Sequence, residues 1–158
     1  MDPPDEYGCE FYAGDAALIG RACSEGRWQE LRGVVAADSF VGFPPCVHCL
    51  DLQLLPAAIA SSTQQPEVQL SEPLRTVAGD EGTWGAEVLP GPWVESVAAV
   101  RPGQLVAAWQ HWVALHHQEY GADEEWESSS IAQSLFDLAG LCRRAVSESR
   151  DVVWVWRL

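Results

Sequence analysis

The residues best suited to chemistry are two cysteines and a histidine in the run Cys46-Val47-His48-Cys49. A helix is predicted just after this run, and its dipole would favour a thiolate at Cys46, which could attack a substrate while Cys49 resolves the mixed disulfide. Pro44-Pro45 removes two backbone donors just before the motif, which confines any strand there to a sheet edge. The same pattern therefore also fits two partly buried cysteines on an edge segment, with His48 facing solvent.

The motif resembles that of thioredoxin-like oxidoreductases, although in those proteins an uninterrupted apolar strand leads into it. Zinc is the other ligand considered, held by Cys46, His48 and Cys49 with a fourth ligand from Cys9, His111, His116 or His117. Zinc sites usually take two ligands from each of two spaced pairs, and no second CxxC or HxxxH is present. No cofactor is therefore expected, and a thiol-redox or zinc-dependent enzyme stays the alternative function.

Charge separates the classes of partner. The chain has 23 acidic and nine basic residues, a net charge of −14, and the nearest approach to a basic patch is Arg143-Arg144. Binding to nucleic acid or to an anionic membrane surface requires a basic patch, so neither partner is expected. A basic protein partner suits this charge, and a second copy of the chain, forming a homodimer, is the alternative.

The candidate interaction residues are an acidic group and one aromatic residue. The acidic group is predicted to lie on a solvated loop between Tyr120 and Glu127, and the aromatic residue lies near the C-terminus; together they are Asp123, Glu124, Glu125, Glu127 and Trp156. Carboxylates would steer a basic partner, and an aromatic anchor would supply short-range energy. A further hypothesis is that the acidic surface imitates nucleic acid.

The composition points to a source and a compartment. All nine basic residues are Arg, and Lys and Asn are absent. Since Lys and Asn have A-rich codons, a high-GC bacterial source is expected. No secretory signal is recognised at the N-terminus, and the five cysteines are an odd number, so a cytoplasmic protein without a disulfide framework is expected.

The elements that position these groups follow from spacing. Residues 1–8 are predicted to be a flexible acidic leader, followed by a strand over 9–13 and a helix capped by Asp15 with Leu18 on its apolar face. A second helix is predicted over 28–35, an extended edge segment over 40–49, and a helix over 51–62 that becomes regular at Pro56. Residues 64–82 are predicted to be loop, with a short strand over 68–70.

The second half shows clearer periodicity. A strand is predicted over 84–89, and helices over 92–100 and 104–119. Ser130 and Gln133 match a capping box that opens a long amphipathic helix, with Arg143 and Arg144 in its last turn. The alternating run 152–156 predicts a buried terminal strand, packed by Leu135, Leu138 and Cys142. The expected fold is a single α+β domain, 1–158, in which amphipathic helices pack on a small sheet.

An amphipathic helix followed by a break and an apolar terminal strand, with the helical runs before them, resembles the C-terminal half of the YfbM-like bacterial proteins of unknown function. The resemblance implies an α+β domain and brings no catalytic residues. The function expected from the sequence is therefore protein–protein interaction by a soluble acidic protein, of an immunity or regulatory type.

Overall fold

The computed structural model describes residues 6–34, 39–70 and 74–158, with the backbone alone at 33 and 34. The chain is an α+β protein whose described strands form one antiparallel sheet. The strands are β1 (Cys9–Gly14), β2 (Phe40–Phe43), β3 (Arg75–Asp80), β4 (Trp84–Val88) and β5 (Asp151–Arg157). The α-helices are α1 (Ala16–Ser24), α2 (Trp28–Val34), α3 (Leu55–Thr63), α4 (Gly91–Ala98), α5 (Pro102–Tyr120) and α6 (Ser129–Glu148), with 3-10 helices at Cys49–Gln53 and Glu124–Glu127.

The terminal strand lies at the centre of this sheet. The strand order is β2-β1-β5-β4-β3, so β5 is hydrogen-bonded on both sides. Phe11 of β1 and Glu87 of β4 both stand opposite Trp154. Successive side chains of a strand point to opposite faces, and β5 is apolar on both, which fits a strand covered on both sides. The prediction of a buried terminal strand is confirmed.

Each face of the sheet carries its own apolar core. On one face, Phe11 and Trp154 join a large cluster with the apolar sides of α3 to α6, including Leu135, Leu138 and Cys142 as predicted. On the other face, Tyr12 and Val155 pack with residues from α1 and α2. The larger core fixes the 3-10 helix Cys49–Gln53 against α5, and this contact builds the candidate site.

Helix α1 begins as predicted. The Asp15 side chain accepts a hydrogen bond from the backbone N–H of Leu18 at 3.0 Å and caps the helix. Leu18 itself is exposed, so its predicted place on the apolar face is wrong. The described part of helix α2 ends at Val34. Val35, which the predicted helix 28–35 included, lies outside the described residues.

The region predicted to be loop contains a missed strand. β3 (Arg75–Asp80) pairs with β4 at the edge of the sheet, while 68–70, predicted to be a strand, has no regular structure. The side chains of β3 are mostly exposed. An edge strand of this kind needs no apolar alternation, which is why the pattern was not visible in the sequence.

The ends of α6 also differ from the prediction. Ser128, not Ser130, is the N-cap residue, and the two hydroxyl oxygens lie 2.7 Å apart, so the predicted capping box with Gln133 is wrong. The helix continues to Glu148, beyond Arg143 and Arg144, and ends at Ser149 in the left-handed conformation.

Arg143 joins α6 to the segment that follows α4. Its guanidinium donates a hydrogen bond to the carbonyl oxygen of Val100 at 3.1 Å.

Part of the predicted flexible leader packs on the sheet. The Tyr7 ring meets the Phe40 ring edge to face at 5.6 Å, and the Gly8 N–H donates to the Phe43 carbonyl at 3.0 Å. Gly8 is so close to the carbonyl of Val47 that a side chain would collide with it. Residues 6–8 therefore extend the ordered structure beside β2. Residues 1–5 lie outside the described range.

Candidate functional site

A buried carboxylate and imidazole form the centre of the site. Asp51, in the 3-10 helix Cys49–Gln53, lies 2.7 Å through Oδ1 from Nδ1 of His116 on α5, and both side chains are buried. Asp51 Oδ2 accepts the backbone N–H of His48 at 2.8 Å. The Asp51 carbonyl accepts the indole N–H of Trp112, one turn before His116 on the same face of α5, at 2.9 Å. Asp51 is thus held at both its side chain and its backbone.

Trp126 fixes the plane of the imidazole. Its ring stacks on His116 with centroids 4.0 Å apart and planes 13° apart, and it meets Trp112 edge to face at 5.0 Å. Its indole N–H donates to the carbonyl of Cys46 at 3.2 Å. Trp126 lies within the run predicted to be a solvated loop, yet it is fully buried. The carboxylates around it are solvated, whereas the tryptophan anchors the segment.

The free nitrogen of His116 is reached from an open cleft. Nδ1 faces Asp51, and because a carboxylate only accepts hydrogen bonds, Nδ1 carries the hydrogen. Nε2 makes no hydrogen bond to the described residues and is not among their buried polar atoms without a partner. His116 lines the cleft, so Nε2 is the ring nitrogen that is accessible there.

The cleft has an apolar lining and an acidic rim. Its volume is about 610 Å³. Leu50, Tyr120 and Leu158 are large apolar or aromatic side chains that remain about half or more exposed beside it. Asp123 and Glu125 line it from the acidic segment, whereas Glu124 and Glu127 are exposed nearby. Of the four predicted interaction residues of the acidic segment, two line this cleft, and Glu124 and Glu127 do not.

A second hollow continues the cleft over the sheet. It has a volume of about 420 Å³ and shares Cys49, Leu50 and Leu158 with the first. Its floor includes Trp156, whose indole N–H donates to the carboxylate of Glu87 at 3.2 Å. Trp156, the remaining predicted interaction residue, thus lies in this adjoining hollow.

The two cysteines of the CxxC motif line the cleft as thiols. Burial, with Glu125 and Asp123 nearby, raises the pKa of Cys46 to about 11, and burial raises the pKa of Cys49 as well. A lowered pKa, expected from a following helix, is not found at Cys46, because desolvation and acidic neighbours oppose the charged form. No thiol of the described residues makes a hydrogen bond to His116. These contacts do not favour attack by Cys46 at neutral pH.

The metal hypothesis gains no support from the geometry. His48 lies on the surface while Cys49 is buried beneath it. Within 6–34, 39–70 and 74–158, no group of three or more His, Cys, Asp or Glu side chains is arranged to hold a metal ion. Of the four alternative fourth ligands, only His116 lines the cleft, and its bond to Asp51 engages Nδ1 alone.

Sequence reasoning missed Asp51, His116 and Trp126 as a set. His116 was considered only as a zinc ligand, and the partnership with Asp51 spans 65 positions. One signal was present in the sequence: a histidine at a buried helical position needs a polar partner, and an aspartate follows the CxxC motif closely. Nothing local identified that partner.

Comparison with known proteins supplies no relative from which a function could be transferred to this chain. The chain matches no protein-family model, and no curated protein or solved structure is significantly similar to it. The similarity to YfbM-like proteins stays a prediction. No helix in the described part of the chain is long and apolar enough to cross a membrane.

Proposed function

We propose that the protein binds a positively charged segment of a partner protein in the acidic-rimmed cleft. The observation that carries this proposal is that exposed apolar side chains and carboxylates line the same cleft. Leu50, Tyr120 and Leu158 border the same cleft as Asp123 and Glu125. Apolar surface beside fixed charge fits a segment that combines basic and apolar residues.

Electrostatic attraction and burial of apolar surface would act at different distances between the protein and its partner. The net charge of −14 attracts a basic partner from a distance, and this attraction weakens as salt screens it. Apolar contact in the cleft then supplies short-range energy, of about 25 cal/mol for each Å² removed from water. We place the protein in a bacterial cytoplasm as an immunity or regulatory factor. Imitation of nucleic acid does not account for the apolar side chains beside the carboxylates, and the net charge of −14 opposes association of two copies of the chain.

The test uses a synthetic peptide of alternating Arg and Leu, measured by titration calorimetry. Asp123→Asn together with Glu125→Gln should weaken its binding several-fold, since each exposed charge contributes about 0.2 to 1 kcal/mol. Asparagine can still accept the Glu125 N–H that Asp123 accepts at 3.0 Å, so the segment keeps its turn. The loss should shrink at high salt.

Two exposed acids away from the cleft provide the matched control. Glu81→Gln with Glu95→Gln removes the same charge from exposed positions outside the cleft. If the control pair weakens binding as much as the cleft pair, net charge alone is responsible and the cleft proposal is wrong. Equal binding of a Glu-Leu peptide would also overturn it.

A further inference from the structure

The Asp51–His116 pair has the geometry of an acid–base dyad. The carboxylate holds Nδ1 at 2.7 Å, which sets the tautomer, and the stack on Trp126 sets the plane of the ring. A base that works in catalysis needs this orientation, with the opposite nitrogen directed to the reacting group. Nε2 meets that requirement because it opens to the cleft.

The two ring nitrogens of His116 differ in their surroundings. Buried polar groups in folded proteins are usually hydrogen-bonded, so a ring nitrogen without a protein partner is one that reaches solvent or a ligand. In His116, Nδ1 has a strong partner, whereas Nε2 has none among the described residues. Burying the Asp51 carboxylate also costs free energy, which hydrogen bonds only partly offset.

We infer that His116 is a general base that activates water for hydrolysis of an uncharged or cationic ester bound in the cleft. Nε2 takes a proton from water as the water oxygen bonds to the carbonyl carbon. The tetrahedral intermediate then breaks its bond to the leaving oxygen, which receives the proton from Nε2. One ester and one water give one acid and one alcohol, and the imidazole is restored.

Asp51 is a positioning residue in this reaction. It acts through His116, because it holds Nδ1–H and stabilises the imidazolium that forms when Nε2 takes the proton. The backbone N–H of His48 and the indole of Trp112 keep Asp51 in place. The imidazole of His116 is therefore held by three parts of the chain, which are the segment 48–51, helix α5 and the ring of Trp126.

The lining of the cleft defines the class of substrate. Leu50, Tyr120 and Leu158 suit an apolar acyl or aryl group. The two carboxylates Asp123 and Glu125 outnumber Arg157, the one arginine of the lining, so anions are disfavoured. The Cys46 thiol lies in the same cleft but makes no hydrogen bond to His116. Water is thus the nucleophile, and esters with a negative charge are poor substrates.

Three aryl acetates that differ in charge provide the test. They are phenyl acetate and its para-trimethylammonium and para-carboxylate derivatives, each corrected for its rate with free imidazole. The protein should hydrolyse the cationic and neutral esters faster than the anionic one. His116→Gln should lower kcat by roughly 10²- to 10⁴-fold, the range of general-base catalysis. Asp51→Asn should lower kcat with little change in KM.

A matched variant and a modification experiment remove the ambiguity of folding. His111→Gln, at an exposed position of α5, should retain activity, and melting temperatures report whether each variant folds. Should His116→Gln fail to fold, diethyl pyrocarbonate applied to the unaltered protein should abolish turnover in parallel with modification of His116, mapped by mass spectrometry. Activity that survives this modification, absence of turnover above free imidazole, or an acetylated Cys46 or His116 intermediate would each overturn the inference. Peptide binding without ester turnover would overturn this inference and leave the proposed binding function intact.

Discussion

Glu10 on β1 and Arg32 on α2 form an ion pair beneath the smaller helical layer. Arg32 Nε donates to Glu10 Oε1 at 2.8 Å, and the Tyr12 hydroxyl donates to the same oxygen at 3.0 Å. Glu10 is fully buried, and the guanidinium of Arg32 also lies over the rings of Tyr7 and Phe40. The contact joins the sheet to α2 and orders the chain just before β1.

Glu10→Gln should destabilise the fold. The substitution leaves Arg32 with a weaker partner in a largely buried position, and breaking one side of a buried pair costs about 3 to 5 kcal/mol. Because Arg32 keeps its bond to Glu6 at 2.8 Å, the lower part of that range is expected. Urea unfolding measures the change.

Glu25→Gln is the control, because Glu25 pairs with Arg27 at 2.6 Å on the exposed surface. Exposed pairs contribute up to about 1 kcal/mol. Equal losses in the two variants would show that burial of Glu10 adds nothing to the pair.

The parts of the fold visible in the sequence are those in which one element carries its own pattern. β5 was predicted from the alternation of Val153, Trp154 and Val155, and α1 from Asp15 at its N-terminus, and both are present. β3 was missed because its pairing with β4, and not its own side chains, makes it a strand.

The candidate site was predictable only in part. The cleft residues Cys46 and Cys49 stood out as a motif, and the acidic segment stood out by charge. The Asp51–His116 pair depends on α5 packing against a 3-10 helix far away in sequence, and such tertiary contacts leave no local pattern. Trp126 was hidden because its neighbours in sequence are carboxylates.

Trp154→Ala should cost roughly 3 to 5 kcal/mol, as truncation of a buried large aromatic side chain does. Trp154 is 6% exposed in the central strand and stands between Phe11 and Glu87 of the neighbouring strands. Thermal and urea unfolding should both show the loss. Leu158→Ala, at a side chain that is 82% exposed, should change stability by less than about 0.5 kcal/mol. A Trp154→Ala variant as stable as Leu158→Ala would place the indole outside the core.

Buried thiols should make the fold sensitive to alkali. Burial raises the pKa of Cys9, Cys23 and Cys142 to about 12, from an ordinary value of 9. The unfolded chain therefore releases these protons first, so their contribution is complete below pH 9 and is lost as pH rises towards 12. Each thiol should lower the free energy of unfolding by roughly 1.4 kcal/mol per pH unit across that window.

Cys142→Ala isolates one of these thiols. The variant starts less stable because it leaves a small cavity beside Leu138, but its stability should fall less steeply between pH 9 and 11. Urea unfolding at intervals of half a pH unit measures both slopes. Parallel slopes would show that Cys142 does not titrate with unfolding.

Substitution of Trp126 should show whether this residue holds the acidic segment against the cleft. Trp126→Phe keeps an aromatic ring beside His116 and removes the N–H that reaches the Cys46 carbonyl, so a loss of about 0.5 to 1.5 kcal/mol is expected. Trp126→Ala also removes the stack on His116 and should cost about 3 to 5 kcal/mol. Hydrogen exchange of the backbone amides at 123–128 should accelerate in the alanine variant far more than in the phenylalanine variant. Unchanged exchange in both would mean that the bond from His117 to the Asp123 carbonyl, at 3.1 Å, is sufficient to hold the segment.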